Sequence, residues 1–204
     1  MQVQEFVKDK LVCKVFSDRD SMGKCAADLI AERIRELLAK QSEVNMLFAA
    51  APSQNDVIRH LVQEDVDWSR VTAFHMDEYV GLEKESPKSF KHYLENALFS
   101  KVNMKNVYYI GSGENTEEIC DRYEKLIKEH PIDIVCLGIG ENGHIAFNDP
   151  DVADFADKKV IKLVCLDEKC RRQQVNDKTF DTIDEVPKYA ITLTVPTLVS
   201  AKYM

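Results

Sequence analysis

Apolar positions along the chain alternate between two patterns. Short runs rich in β-branched residues, at 11–16, 44–50, 71–76, 107–110, 132–137, 160–166 and 191–195, have the length and composition of strands. Between them, apolar residues recur every three to four positions. Positions 21–40 place Met22, Ala26, Leu29, Ile30, Ile34, Leu37 and Leu38 on one helical face. A second helix is expected from Asn115, where Glu118 three residues on marks a capping box. Its Ile119, Tyr123, Leu126 and Ile127 face inward, and Pro131 bars continuation. Strands alternating with crossover helices predict an α/β fold in three layers, a mostly parallel sheet with helices on both faces. The run 132–137 is nearly all apolar, as a strand covered on both sides should be. With no internal repeat, low-complexity tract or linker rich in Pro, Gly or Ser, residues 1–204 read as a single domain.

Charge narrows the partners. With 27 basic against 35 acidic residues the net charge is −8, which argues against general affinity for nucleic acid or an anionic membrane surface. An anionic ligand would need a local, focused site. The first sixteen residues show no basic-then-apolar leader, and no stretch approaches the roughly 18 apolar residues of a spanning helix, so a cytoplasmic location is expected. The six cysteines, Cys13, Cys25, Cys120, Cys136, Cys165 and Cys170, include no CxxC pair; they signal no metal cage and read as reduced, mostly core residues.

In a parallel sheet, ligands bind beyond the carboxyl ends of the strands, and three such junctions carry unusual residues. After 44–50 the chain reads Ala50, Ala51, Pro52, Ser53, Gln54 before a helical pattern. Small residues there let backbone approach a ligand, and Ser53 and Gln54 offer donors to phosphate. The loop lacks the glycines of a phosphate loop, and a plain turn with Ser53 as N-cap is the simpler reading. The second junction sets His75, Asp77, Glu78 and Tyr79 immediately after the apolar strand residues 71–74. On an extended backbone the two carboxylates point to opposite sides, so one of them faces a ligand and could act as a general base. The third, GIGENGHIAFNDP at 138–150, holds Gly138, Gly140 and Gly143, whose freedom permits close ligand approach and whose amides could cradle an oxyanion. His144 sits inside this turn, where it could move protons with Asp149 orienting the ring, or serve structurally by bonding a carbonyl.

Together FHMDEYVGL and GIGENGHIAFNDP resemble the two signature segments of the glucosamine-6-phosphate deaminase/isomerase family, and VPKYAITLTVPTL near the end continues the likeness. The related 6-phosphogluconolactonases share a GHxA turn, but the residues that follow here, Ile145 to Pro150, favour the deaminase branch. The resemblance implies a Rossmann-like sheet of the sugar-phosphate isomerase type and conversion of glucosamine 6-phosphate and water into fructose 6-phosphate and ammonia, without metal or redox cofactor. By motif position Asp77 is the base that moves the proton alpha to the opened aldehyde, and His144 opens the ring, held by neighbouring carboxylates. Its implied partner is a phosphorylated amino sugar; a homo-oligomer stays open, since family members occur as monomers and as larger assemblies.

Five departures qualify the resemblance. The family's aspartate two before the histidine is Asn142, with Glu141 beside it to compensate, and the glutamate after Phe-Asn is Asp149, one methylene shorter. The phosphate loop keeps only the hydroxyl of Ser53. The phosphate-binding arginine aligns with Asn176, leaving Arg171 or Arg172 as substitutes. Family chains also run on past the strand at 191–195 to a phosphate-binding lysine, whereas this one stops at Met204, so a C-terminally truncated form of the fold is expected. The alternatives carried beside the deaminase are a lactonase-like hydrolase, which needs His144 but not Asp77, and a non-catalytic sugar-phosphate binder.

Overall fold

The computed structural model describes residues 1–83, 85–113 and 115–204. Its centre is a four-stranded sheet of β3 (Val44–Phe48), β4 (Val71–His75), β6 (Asn106–Tyr108) and β7 (Ile134–Cys136), ordered β6-β4-β3-β7 and parallel throughout. Every residue of β3 and β4 is buried, which explains their continuous apolar composition. Alternate side chains serve the two faces. Met46 and Phe48 enter one core with α1 (Arg19–Leu38), α2 (Asn55–Leu61) and α3 (Phe90–Leu94), while Leu47 and Phe74 enter another with α4 (Thr116–Glu129). This is the three-layer α/β arrangement expected from the alternation of patterns.

Two strand groups lie outside that sheet. The run 11–16 forms β2 (Leu11–Phe16), which pairs not with the parallel sheet but with β1 (Gln2–Lys8), an alternating segment that the run-based reading passes over. A tight reversal at Asp9, with φ of 53°, makes this hairpin the nearest pairing partner in the chain. Likewise β8 (Ile161–Cys165) and β9 (Tyr189–Leu193) join a short strand β5 (Asp77–Tyr79) in an antiparallel sheet ordered β5-β9-β8. The half-exposed pattern of β8 is that of an antiparallel strand with one wet face. Met76 joins the two sheets: its N–H donates to Phe48 O at 3.3 Å and its carbonyl accepts from Leu193 N at 2.9 Å. Asp77 therefore stands at the corner where the parallel sheet ends and the antiparallel one begins.

Helix α1 buries Ile34 and Leu37 of its predicted face, with Ile30 and Leu38 packed against the same core, but its inward face is rotated toward its smallest residues. Gly23, Ala27, Ala31, Ile34 and Leu37 are buried, whereas Met22 and Leu29 are exposed. A methyl at Gly23 would lie 2.6 Å from Asp56 Cβ, so the small residues are what let α1 approach α2. Helix α4 behaves as its pattern requires: the Asn115 side chain accepts from Glu118 N and Nδ2 donates to the Glu118 carboxylate, and Tyr123 and Ile127 are buried. The Tyr123 hydroxyl accepts from His75 N and donates to His75 O, which fastens the end of β4. The remaining helices are α5 (Glu168–Asn176) and α6 (Val195–Val199). Among the described residues, no helix is long and apolar enough to cross a membrane.

Candidate active site

A cleft opens at the carboxyl ends of β3, β4 and β7, where ligand sites of parallel sheets lie. Its enclosed space is about 90 Å³ and widens to about 650 Å³ when the solvent at its mouth is counted. Ala50, Ala51, Ser53 and Gln54 line it from the loop after β3, Asp77 from the corner after β4, and Gly138, Gly140 and His144 from the turn after β7. Helix α5 and the residues after it add Gln173, Gln174, Asp177 and Thr179, none of which stands out in the sequence.

Asp77 is buried, and its carboxylate has no hydrogen-bond donor among the described residues. Burial, helped by the adjacent Glu78 charge, pushes its carboxyl pKa well above the ordinary aspartate value. Glu78 diverges from it as an extended backbone requires, accepting from the N–H groups of Tyr79, Phe90 and Lys91 at the start of α3. His75 is structural: Nδ1 donates to Asp77 O at 2.9 Å, Nε2 accepts from Ile110 N at 3.0 Å, and burial lowers its pKa to about 4. Its ring is thus a neutral strut that fixes the Asp77 backbone.

His144 is placed by its turn. Gly143 adopts a φ of 87°, which only glycine holds at low cost, and a methyl at Gly140 would lie 2.2 Å from His144 Cε1, so the ring packs directly on the Gly140 backbone. The amides of these two glycines are spent inside the turn, Gly140 N on His144 O and Gly143 N on Gly140 O, and so are not aimed at a ligand oxyanion. Ala146, with φ of 51°, reverses the chain; Asn148 Nδ2 braces that reversal by donating to Ile145 O and Leu193 O. This carries the buried Asp149 back to within 3.3 Å of His144 Nδ1, compensating for its shorter side chain.

The ring's nearest partner is nevertheless Asn142, whose Oδ1 lies 2.6 Å from Nδ1. Asn142 Nδ2 donates in turn to Asp149 Oδ1 at 3.0 Å and to Asp167 Oδ2 at 3.1 Å. Burial raises the Asp149 pKa, but hydrogen bonds from His144, Asn142 and the Asp167 amide outweigh it and hold the carboxyl below its usual value. Asp167 escapes sequence reading because an aspartate before a helix announces only an N-cap, and it does cap α5 by accepting from Cys170 N.

Other expected roles are displaced. Glu141 does not support the imidazole; its carboxylate faces Asn176 Nδ2 and its amide donates to Gln173. Arg171 donates to the carbonyls of Ile183 and Val186, and Arg172 pairs with Glu168 on the surface, so neither lines the cleft. Their place on α5 is the reason: the cleft receives the side of the helix that carries Gln173 and Gln174. Ser53 makes no helix-capping bond, and its hydroxyl accepts from Gln54 Nε2 instead. Among the described residues one donor cluster, His144, Asp149 and Cys170, falls within 4.8 Å. Its imidazole atom Nδ1 is engaged by Asn142, and burial with the nearby Asp149 and Asp167 charges raises the thiol pKa, disfavouring the thiolate a metal would need.

Residues 17–204 match the family model of glucosamine-6-phosphate isomerases/6-phosphogluconolactonase. The chain belongs to this isomerase/lactonase family. Within the family it is similar to a glucosamine-6-phosphate deaminase of Listeria welshimeri, 38% identical over 183 residues that cover 88% of this chain and 76% of that one. A deaminase of the same name from Lactobacillus delbrueckii is 33% identical over 189 residues, 92% and 76% of the two chains. Among solved members of the family, a monomeric glucosamine-6-phosphate deaminase superposes with a TM-score of 0.79 at 28% identity, covering 91% of this chain and 77% of that one. The 6-phosphogluconolactonase of Thermotoga maritima superposes at 0.69 with 20% identity over 86% and 74%, a likeness of fold.

Proposed function

We propose that this chain isomerises and deaminates an amino-sugar phosphate, converting glucosamine 6-phosphate and water into fructose 6-phosphate and ammonia. The observation that carries the reading is Asp77, a buried carboxylate without a donor among the described residues, facing the same cleft as His144. With Nδ1 donating to Asn142, His144 keeps Nε2 as the basic atom, suited to carry a proton between the anomeric hydroxyl and the ring oxygen. The open aldehyde acidifies the proton on C2. Asp77 takes that proton and returns it to C1, and the raised pKa brings the carboxylate closer to the basicity such a transfer needs. The shift turns the 2-amino aldehyde into a 2-iminium, which water hydrolyses to ketone and ammonia. Ser53, Gln54 and Thr179 supply neutral donors for the phosphate, and the Asp77 and Asp177 charges complement the substrate ammonium.

Curated deaminases at 33–38% identity support this reading over the lactonase, which has no use for a buried base at position 77. The six unpaired cysteines fit a reducing, cytoplasmic setting. Purified protein supplied with glucosamine 6-phosphate should release ammonia and fructose 6-phosphate in equal amounts and leave 6-phosphogluconolactone at its spontaneous rate. Catalysed lactone hydrolysis without ammonia release would replace the deaminase with the hydrolase.

A further inference from the structure

We propose that Asp167 is a positioning residue for His144, acting through the Asn142 amide. The argument rests on donor and acceptor identity. Asn142 offers one acceptor oxygen and two N–H donors, and its Nδ2 lies 3.0 Å from Asp149 Oδ1 and 3.1 Å from Asp167 Oδ2. Ionised carboxylates only accept, so both amide hydrogens point toward them. The amide oxygen is thereby turned to His144, where it meets the backbone N–H at 3.2 Å and Nδ1 at 2.6 Å. Nδ1 must then carry the ring proton, and Nε2, which has no protein hydrogen bond among the described residues, keeps its lone pair. The negative charge absent from position 142 is present one bond further out, on Asp167 and Asp149 together.

Asp167 has a second job that the test must separate. Its Oδ1 caps α5 through Cys170 N at 2.6 Å. Asparagine caps as well as aspartate, so Asp167→Asn keeps the helix start. Its new amide nitrogen, however, replaces Oδ2 and confronts Asn142 Nδ2, donor against donor. Relief comes by rotating the Asn142 amide, which withdraws its oxygen from the imidazole.

The inference rests on the deaminase reading for its effect on turnover, but not for its effect on the ring. With histidine ¹⁵N-labelled, the His144 signals, assigned by their loss in His144→Gln, report which ring nitrogen is protonated. At a pH where the ring is neutral, the native protein should show the Nδ1-protonated tautomer. Asp167→Asn should show a mixture with Nε2 protonated, at an unchanged thermal midpoint. Turnover of glucosamine 6-phosphate should fall about tenfold or more in kcat with KM kept within about twofold. An unchanged tautomer overturns the proposal, and a lowered thermal midpoint with an unchanged tautomer assigns Asp167 to the cap alone. A changed tautomer in a protein that never turns over the sugar phosphate upholds the positioning role and sinks the deaminase reading instead.

Discussion

Gly140→Ala tests the proposed role of His144 apart from the fold. A methyl at Gly140 would lie 2.2 Å from His144 Cε1, 2.3 Å from Nε2 and 2.6 Å from Nδ1. Carbon atoms settle at about 3.5–4.0 Å, so the imidazole must shift by about 1 Å or more. A misplacement of that size costs about a hundredfold in rate, or roughly 2.7 kcal/mol of transition-state stabilisation. Gly140 does not have a positive φ, so alanine fits its backbone and gains about 0.4–1 kcal/mol from the restricted unfolded chain, which offsets part of the roughly 1–3 kcal/mol that displacing the packed ring costs. Gly138 and Gly143 serve as contrasts. A methyl at Gly138 meets Ser53 Oγ at 3.5 Å, an ordinary contact, whereas Gly143→Ala clashes with nothing but is strained at φ of 87°. The assay follows ammonia release beside a thermal melt for each variant. Gly140→Ala with native kcat and a native melt would refute the claim that His144 is catalytic where it stands.

Three further outcomes follow from the same geometry. His75 has a folded pKa of about 4 against an ordinary value of 6.5, because burial excludes its charge. Since the unfolded chain binds that proton first, its contribution of about 3 kcal/mol is fully present above pH 6.5 and is lost as pH falls toward 4; urea melts across that window should lose this slope in His75→Asn, and an unchanged slope would contradict the assignment. Asp77 shifts the opposite way, so its charge costs stability at neutral pH; Asp77→Asn should melt higher than the native protein while losing activity, and a lower melt would show that the carboxylate is a structural partner. Ser53→Ala should raise KM for the sugar phosphate about tenfold or more at nearly constant kcat, the loss of one hydrogen bond to a charged group, whereas unchanged KM would remove Ser53 from the phosphate contacts.

What the sequence discloses here is what local chemistry decides. The corner residues Asp77 and Glu78 diverge, and the Gly138–Asp149 turn forms around His144, because alternation and glycine freedom act over a few residues. The buried face of α1 was partly hidden because a helix contact can be set by its smallest residues, Gly23, Ala27 and Ala31, as readily as by its largest. Strand pattern likewise gives no partner: 160–166 and 191–195 read as sheet strands, but the antiparallel pairing of the second with both the first and Asp77–Tyr79 depends on long-range register. Arg171 and Asp167 show the same limit within the site. A basic residue at nearly the right position turns to carbonyls on the far side of α5, and an ordinary N-cap joins the hydrogen bonds that hold the imidazole.

The central claim is that Asp77 moves the C2 proton, and glucosamine 6-phosphate deuterated at C2 tests it directly by NMR. Native protein should carry the label from C2 to C1 of fructose 6-phosphate or release it to water, while Asp77→Asn, folded and able to bind the sugar phosphate, should leave the label on C2. Loss of the C2 label at the native rate in Asp77→Asn would contradict the account.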